Sequence, residues 1–318
     1  EFLEGEMPSS RPLREDDPSL LVLLIDTNPR FWLKQTQLRQ RSNHSSSDLQ
    51  SDSHSENSVF ISVMDQIFVF LNSFLLLNRG NHLAVIASHP RESRYLFPVE
   101  REGYSALSHK ESDFSFASMN GRIMSELELL LNSSVEEKSE CRNSRFAGSL
   151  SLALCHINRM IFENPNIHPR ILSLCASEDL SSEYISVMNC IFSAQKQNVP
   201  LDVCVLIDTD SLFMQQAAHL TNGIYWKPIR FEHLLQDFLT IFLPDLYSRK
   251  HLILPKSEQI DFRATCFCHR KVIDVGFVCP VCLSIFCDEL TKCRTCGTRM
   301  PKKRIRRESK PIIKFENT

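Results

Sequence analysis

Cys279-x-x-Cys282 and Cys293-x-x-Cys296 are two pairs of thiols with ten residues between them. Two thiolates at that spacing can grip one ion, and two such pairs complete a tetrahedral zinc shell with no position left open, which makes the site structural. The seven cysteines packed between residues 266 and 296 are part of a total of twelve. A cluster of that density without a secretory signal points to metal before disulfides. A module of about 35 residues cannot bury enough surface to fold alone. Bound zinc supplies on the order of 10 kcal/mol toward folding such a module.

Cys266, Cys268, His269 and Cys287 are interleaved with the first set and are the candidate ligands of a second zinc. Cys268 and His269 are neighbours and compete for one ion. The interleaving is that of a RING cross-brace, but no Cys or His stands between Cys287 and Cys293, so the third pair lacks its second member. Other reactive types are less organised. Cys155-His156 has the composition of a nucleophile pair, but adjacent residues on a helix diverge by about 100°, and Cys155 reads as a small core residue. His44 and His54 lie among carboxylates in a stretch, residues 41–58, that carries eight serines and reads as a solvated loop. There is no Gly-x-Ser-x-Gly elbow, Walker loop or Rossmann fingerprint. With eight glycines in 318 residues, Gly-rich phosphate loops are not expected.

These residues need a frame. Leu20-Leu-Val-Leu-Leu-Ile25 runs without alternation into Asp26-Thr-Asn-Pro29. An unbroken apolar run of this kind fits a strand buried on both faces, hence a parallel sheet covered by helices. Asp26, Thr27 and Asn28 then lie at the strand's carboxyl end, where open α/β sheets place ligands. Further strands are expected at 82–88, 170–176 and 201–207, with short edge strands at 93–97 and 223–227. Helices are expected at 59–78, 119–132, 145–162, 182–197, 212–220 and 231–242. Gly80 is placed for a left-handed cap, and 99–118 reads as an irregular excursion. The alternation of strand and helix implies a mostly parallel sheet. The organisation is therefore an α/β domain over 18–243, a linker over 244–263, a zinc module over 264–300 and a basic tail over 301–318.

The last 18 residues carry seven Lys/Arg against Glu308 and Glu316, a net of +5, which leaves −7 on the remainder against a total of −2. A basic tail on an acidic body suits an address or a phosphate contact. Lys302-Lys-Arg-Ile-Arg-Arg307 has the composition of a nuclear-import signal, and no aromatic interleaving supports direct nucleic-acid contact. The acidic start with Glu1, Glu4 and Glu6 is not a secretory pattern. No stretch reaches the roughly 18 uninterrupted apolar residues of a membrane helix, so no membrane partner is expected.

Several blocks together carry a resemblance. They are Leu23-Leu-Ile-Asp26-Thr-Asn-Pro29 with Trp32, Leu83-Ala-Val-Ile-Ala-Ser-His89, Glu92-Ser-Arg94, and Ala147-Gly-Ser-Leu150 running into Leu154-Cys155. Ala194-Gln-Lys-Gln-Asn198, Leu243-Pro-Asp245, and Cys266-Phe-Cys-His269 through Val281-Cys-Leu-Ser-Ile-Phe-Cys287 complete them. Over residues 18–300, leaving out the serine loop and 99–140, the chain resembles the small zinc-finger subunit of the core of general transcription and DNA-repair factor IIH. The resemblance implies a von Willebrand A-like domain followed by a C4 zinc module. It also implies a non-enzymatic, nuclear scaffold whose partner is the larger von Willebrand A and RING-containing subunit, serving promoter opening and nucleotide excision repair. The family's zinc ligands map onto Cys279, Cys282, Cys293 and Cys296. Asn28 and Arg30 stand where an intact von Willebrand A metal loop has serines. A cation there would meet an arginine, although Asp179 and Asp208 could supply oxygens; a metal-free loop capped by Asp26 is expected, as in that family. Two rival readings remain. A RING-type ubiquitin ligase would use 266–296 to bind a conjugating enzyme, and the incomplete third pair counts against it. A metal-dependent adhesion-type binder would need a cation that Arg30 repels.

Overall fold

The computed structural model describes residues 14, 17–44, 58–98, 115–133, 144–180, 183–255, 266–269 and 273–300. They fall into two compact units divided between Ile260 and Asp261. The first is built on six strands in the order β3-β2-β1-β4-β5-β6. These are β1 (Ser19–Asp26), β2 (His82–Ser88), β3 (Ser93–Phe97), β4 (His168–Cys175), β5 (Leu201–Val205) and β6 (Tyr225–Trp226). Every neighbouring pair is parallel except β2 with the edge strand β3. All eight residues of β1 are buried, and the alternation of its side chains divides them between two cores. Leu21, Leu23 and Ile25 join one apolar cluster, and Leu20, Val22 and Leu24 join the other.

The first core is closed by α2 (Val59–Leu77), α3 (Phe116–Ser133) and a helical run that begins at Phe231. That run is 3₁₀ over Phe231–His233, α7 over Leu234–Asp237 and π over Phe238–Phe242. The second core is closed by α4 (Phe146–Glu163), α5 (Tyr184–Lys196) and α6 (Leu212–Leu220). The expected mostly parallel sheet flanked by helices is what forms.

Three local expectations change. Residues 29–44, where no helix was expected and whose last four fall in the stretch read as a solvated loop, form α1 (Pro29–His44). Pro29 occupies the first helical position, where its missing N–H costs nothing, and Asn28 Oδ1 accepts the N–H of Arg30 at 3.1 Å. Asn-Pro was thus a helix start. The serine stretch from 45 to 57, the excursion from 99 to 114 and the basic tail lie outside the described residues. Gly80 does not close α2: the cap is Asn78 in extended backbone, and Asn81 Nδ2 donates to Phe74 O at 2.9 Å. The third change concerns α2 itself. Its best 18-residue window has mean hydropathy 1.9, so by length and composition it could cross a membrane. Here Val63, Met64, Ile67, Phe70, Leu71 and Phe74 are buried against the sheet and α7 side.

Two long-range latches fix the end of the first unit. Arg170 of β4 is fully buried. Its Nη1 donates to Phe242 O at 2.6 Å and Pro244 O at 2.9 Å, and its Nη2 donates to Leu243 O at 3.1 Å. The guanidinium lies 5.5 Å from the Phe74 ring centroid. Arg249 pairs bidentately with Asp202 of β5, at 2.9 and 2.6 Å. Residues 244–250, counted as linker in the sequence reading, are thereby held on the first unit. Gly223 permits the approach to β6. A Cβ there would lie 2.0 Å from Leu201 O, a backbone atom that cannot step aside. Gly223→Ala should cost about 3 kcal/mol or more by overpacking, read as a lower urea midpoint of tryptophan fluorescence.

Candidate metal centre

In the second unit two hairpin turns carry the first four thiols. β7 (Phe277–Val278) pairs antiparallel with β8 (Ile285–Phe286), and Cys279 and Cys282 occupy the turn between them. A bridge between Lys292 and Arg299 frames Cys293 and Cys296 in the same way. Both turns are closed alike: Leu283 N donates to Cys279 O at 2.9 Å and Gly297 N to Cys293 O at 3.0 Å. Both residues adopt positive φ, 58° at Leu283 and 75° at Gly297. Glycine meets that demand without strain and leucine does not.

The sulfur atoms of Cys279, Cys282, Cys293 and Cys296 all lie within 4.8 Å of one another. Cys279 and Cys296 are 3.7 Å apart and Cys282 and Cys293 are 3.5 Å apart. With Zn–S bonds of about 2.3 Å, the edge of a tetrahedral shell is about 3.8 Å, so the four could hold one metal ion. At Cys296 and Cys282 local donors favour the thiolate, the form that binds metal. Cys296 is held down to about 6, chiefly by the Thr298 hydroxyl and backbone N–H. At Cys282 burial pulls the pKa up, but the Ser284 hydroxyl and N–H outweigh it. Burial pushes Cys293 up to about 11.

Cys266, His269 and Cys287 form a second group within the same 4.8 Å limit, and Cys268 stands outside it. Burial raises the Cys266 thiol, but the N–H groups of Cys268, His269 and Cys287 bring it down to about 6.

The carboxyl ends of the sheet strands in the first unit border a small cleft lined by Asp26, Ser144, Ser177, Asp179 and Ser211 among others. Asp26 is buried, and its oxygens are taken by the protein. Oδ1 accepts the N–H of Asn28 at 3.0 Å and the Ser144 hydroxyl, and Oδ2 accepts the N–H of Ala176 at 2.9 Å. Asp179 accepts the Ser211 hydroxyl and the N–H of Phe213 at the start of α6. Asp208 does not line the cleft, and its carbonyl accepts Lys227 Nζ. The carboxylates hold loops to one another.

Burial raises the Asp26 pKa above its ordinary 3.8, the hydrogen bonds opposing. A raised carboxylate pKa means the folded state binds the proton more tightly, so stability falls as pH rises from 3.8 through the folded value. Asp26→Asn should flatten that segment of the stability–pH curve, measured by urea unfolding of both proteins.

The pair at 155–156 is reversed from expectation. Cys155 is exposed, and His156 is buried, with its ring 5.9 Å from Tyr95 and Nδ1 3.2 Å from Arg159 Nη2. The buried face of α4 runs through Ser149, Leu150, Ala153, Leu154, His156 and Ile157, and that rotation turns Cys155 out.

The family described as Transcription factor Tfb4 matches residues 18–297. The chain belongs to the Tfb4 family. Its relatives agree across kingdoms. General transcription factor IIH subunit 3 of Dictyostelium discoideum is 43% identical over 256 residues, 77% of this chain and 69% of that protein. The general transcription and DNA repair factor IIH subunits TFB4 of Arabidopsis thaliana and tfb4 of Schizosaccharomyces pombe are 38% and 39% identical, each over 89% of both chains. The crystal structure of the TFIIH p34 N-terminal domain superposes with a TM-score of 0.55 at 24% identity, covering 71% of this chain and 98% of that one. The fold is von Willebrand A-like. The Tfb4 match contains all four of the first thiols as well as Cys266, His269 and Cys287.

Proposed function

We propose that this Tfb4-family chain is a non-enzymatic scaffold subunit of the core of general transcription and DNA-repair factor IIH. In this reading it binds the larger von Willebrand A and RING-containing subunit, and supports transcription initiation by RNA polymerase II and nucleotide excision repair in the nucleus. The observation that carries the proposal is the extent of the family match, which runs through the α/β unit and the cysteine unit together. A chain that acts by docking needs surfaces held in fixed shape. The sheet and its latches supply one set. Zinc held by Cys279, Cys282, Cys293 and Cys296 would supply the other by joining the two turns of a unit too small to fold on its own apolar contacts. When bound there, zinc contributes folding energy and no chemistry, since four thiolates leave no position for water. The polar residues above the sheet support the same reading, because Asp26 and Asp179 are committed to loop contacts.

The full chain, tagged and incubated with nuclear extract, should recover the RING-containing core subunit together with the helicases. Recovery of ubiquitin-conjugating enzymes without them, and ubiquitin-chain synthesis that is lost in Cys279→Ser, would replace the scaffold with a ligase.

A further inference from the structure

We infer that the second unit holds a second zinc ion, ligated by Cys266 Sγ, His269 Nδ1 and Cys287 Sγ, with Cys268 outside the coordination shell. The inference extends the zinc reading of the first site and is independent of the scaffold role. His269 Nδ1 lies 3.8 Å from Cys266 Sγ and 3.3 Å from Cys287 Sγ. Zn–S and Zn–N bonds of about 2.3 and 2.1 Å give a tetrahedral sulfur–nitrogen edge of about 3.6 Å, between the two distances. Cys266 Sγ also receives the N–H of Cys287 at 3.2 Å and of Cys268 at 3.4 Å. Hydrogen bonds of this kind orient ligand sulfurs and hold their charge. The Cys268 N–H therefore serves the site, and its thiol, although it lies against Cys266, falls outside the group of three ligand atoms that are all close to one another.

Chain order supports the same conclusion. Cys266-x-x-His269 acts with Cys287 and Cys279-x-x-Cys282 acts with Cys293-x-x-Cys296, so the two ligand sets alternate along the chain. Leu290 sits three residues after Cys287, where the missing ligand of the third pair would stand, and it packs on the apolar cluster of Phe286 instead. The second ion would also tie the start of the unit to β8, a join already begun by the hydrogen bond from Phe267 N to Ile285 O at 2.9 Å.

The test is metal content of the full chain purified after growth in zinc, measured by mass spectrometry against protein concentration. Two zinc ions per chain are expected, two in Cys268→Ser, and one in Cys287→Ser. Should Cys287→Ser lose both ions by unfolding, His269→Cys decides: it keeps two ions, and after cobalt substitution its thiolate-to-metal absorption rises by one thiolate's share over wild type. One zinc in the wild type overturns the inference while leaving the first site intact. So does loss of an ion from Cys268→Ser, which would put Cys268 in the shell, or retention of both in Cys287→Ser. A wild type without zinc would fail the first site as well, and that outcome is distinct from the others.

Discussion

Cys279→Ser is expected to release zinc from the first site and unfold the second unit, with the first unit's unfolding unchanged. Cys279 is fully buried, and among the described residues the apolar cluster around it has only Cys279, Phe286 and Cys293 as buried members. Burying one aromatic ring contributes about 3 kcal/mol, while ordering each residue of the unit costs about 1–2 kcal/mol. Metal binding, on the order of 10 kcal/mol, closes that gap, and a serine hydroxyl does not replace a thiolate. The chain lends itself to a clean measurement. Its two tryptophans, Trp32 and Trp226, both belong to the first unit, so tryptophan fluorescence follows that unit alone. The predicted variant keeps the wild-type fluorescence midpoint, loses at least one zinc equivalent, and is cut by protease within 266–300. A variant that holds the full zinc content and resists protease there would sink the idea that metal folds this unit. Chelation of the wild type should reproduce the variant, because the missing quantity in both is the same ligand–metal bond energy.

What the sequence disclosed, and what it hid, follow from the range of the interactions. The strand at 20–26 was legible because burial on both faces abolishes alternation, and β2 was legible for the same reason. Helices α2, α4, α5 and α6 were legible from period alone, to within about two residues at their ends. The gathering of the four thiols was legible because two turns that could share one ion carry their sulfurs at short spacing. Missed signals were of two kinds. Asn28-Pro29 permits both a turn and a helix start, and what separates them is the Asn28 side chain accepting the N–H of Arg30. Asp26 was legible as a special residue, but its partners Ser144 and Ala176 lie 118 and 150 residues away, and nothing local encodes them. That His269 and not Cys268 falls within the group formed with Cys266 and Cys287 also needed coordinates, since neighbouring side chains are equivalent in sequence until the backbone decides which faces Cys287.

Arg249→Met is the other change with a large expected effect, a loss of about 3–5 kcal/mol from the first unit. The Asp202 side chain is 1% exposed and that of Arg249 is 9% exposed. Asp202 Oδ1 accepts Arg249 Nη1 at 2.9 Å and also the N–H of Ile224 at 2.9 Å, and Oδ2 accepts Nη2 at 2.6 Å. Removing the arginine leaves a carboxylate in the interior with one backbone donor, and the penalty is the desolvation of that charge rather than the net strength of the pair. The distinction is testable through a cycle. Asp202→Asn in the Arg249→Met background keeps an oxygen for Ile224 N–H and removes the charge, so it should recover more than half of the loss. Arg249 Nε also donates to Pro244 O at 3.1 Å, a carbonyl that Arg170 holds as well, so some loss from the loosened 242–250 segment should persist in the double variant. Urea unfolding followed by tryptophan fluorescence reads all three proteins. If Arg249→Met falls within about 1 kcal/mol of wild type, as surface substitutions do, the segment after Pro244 is not fixed to the sheet, and residues 244–250 act as linker after all.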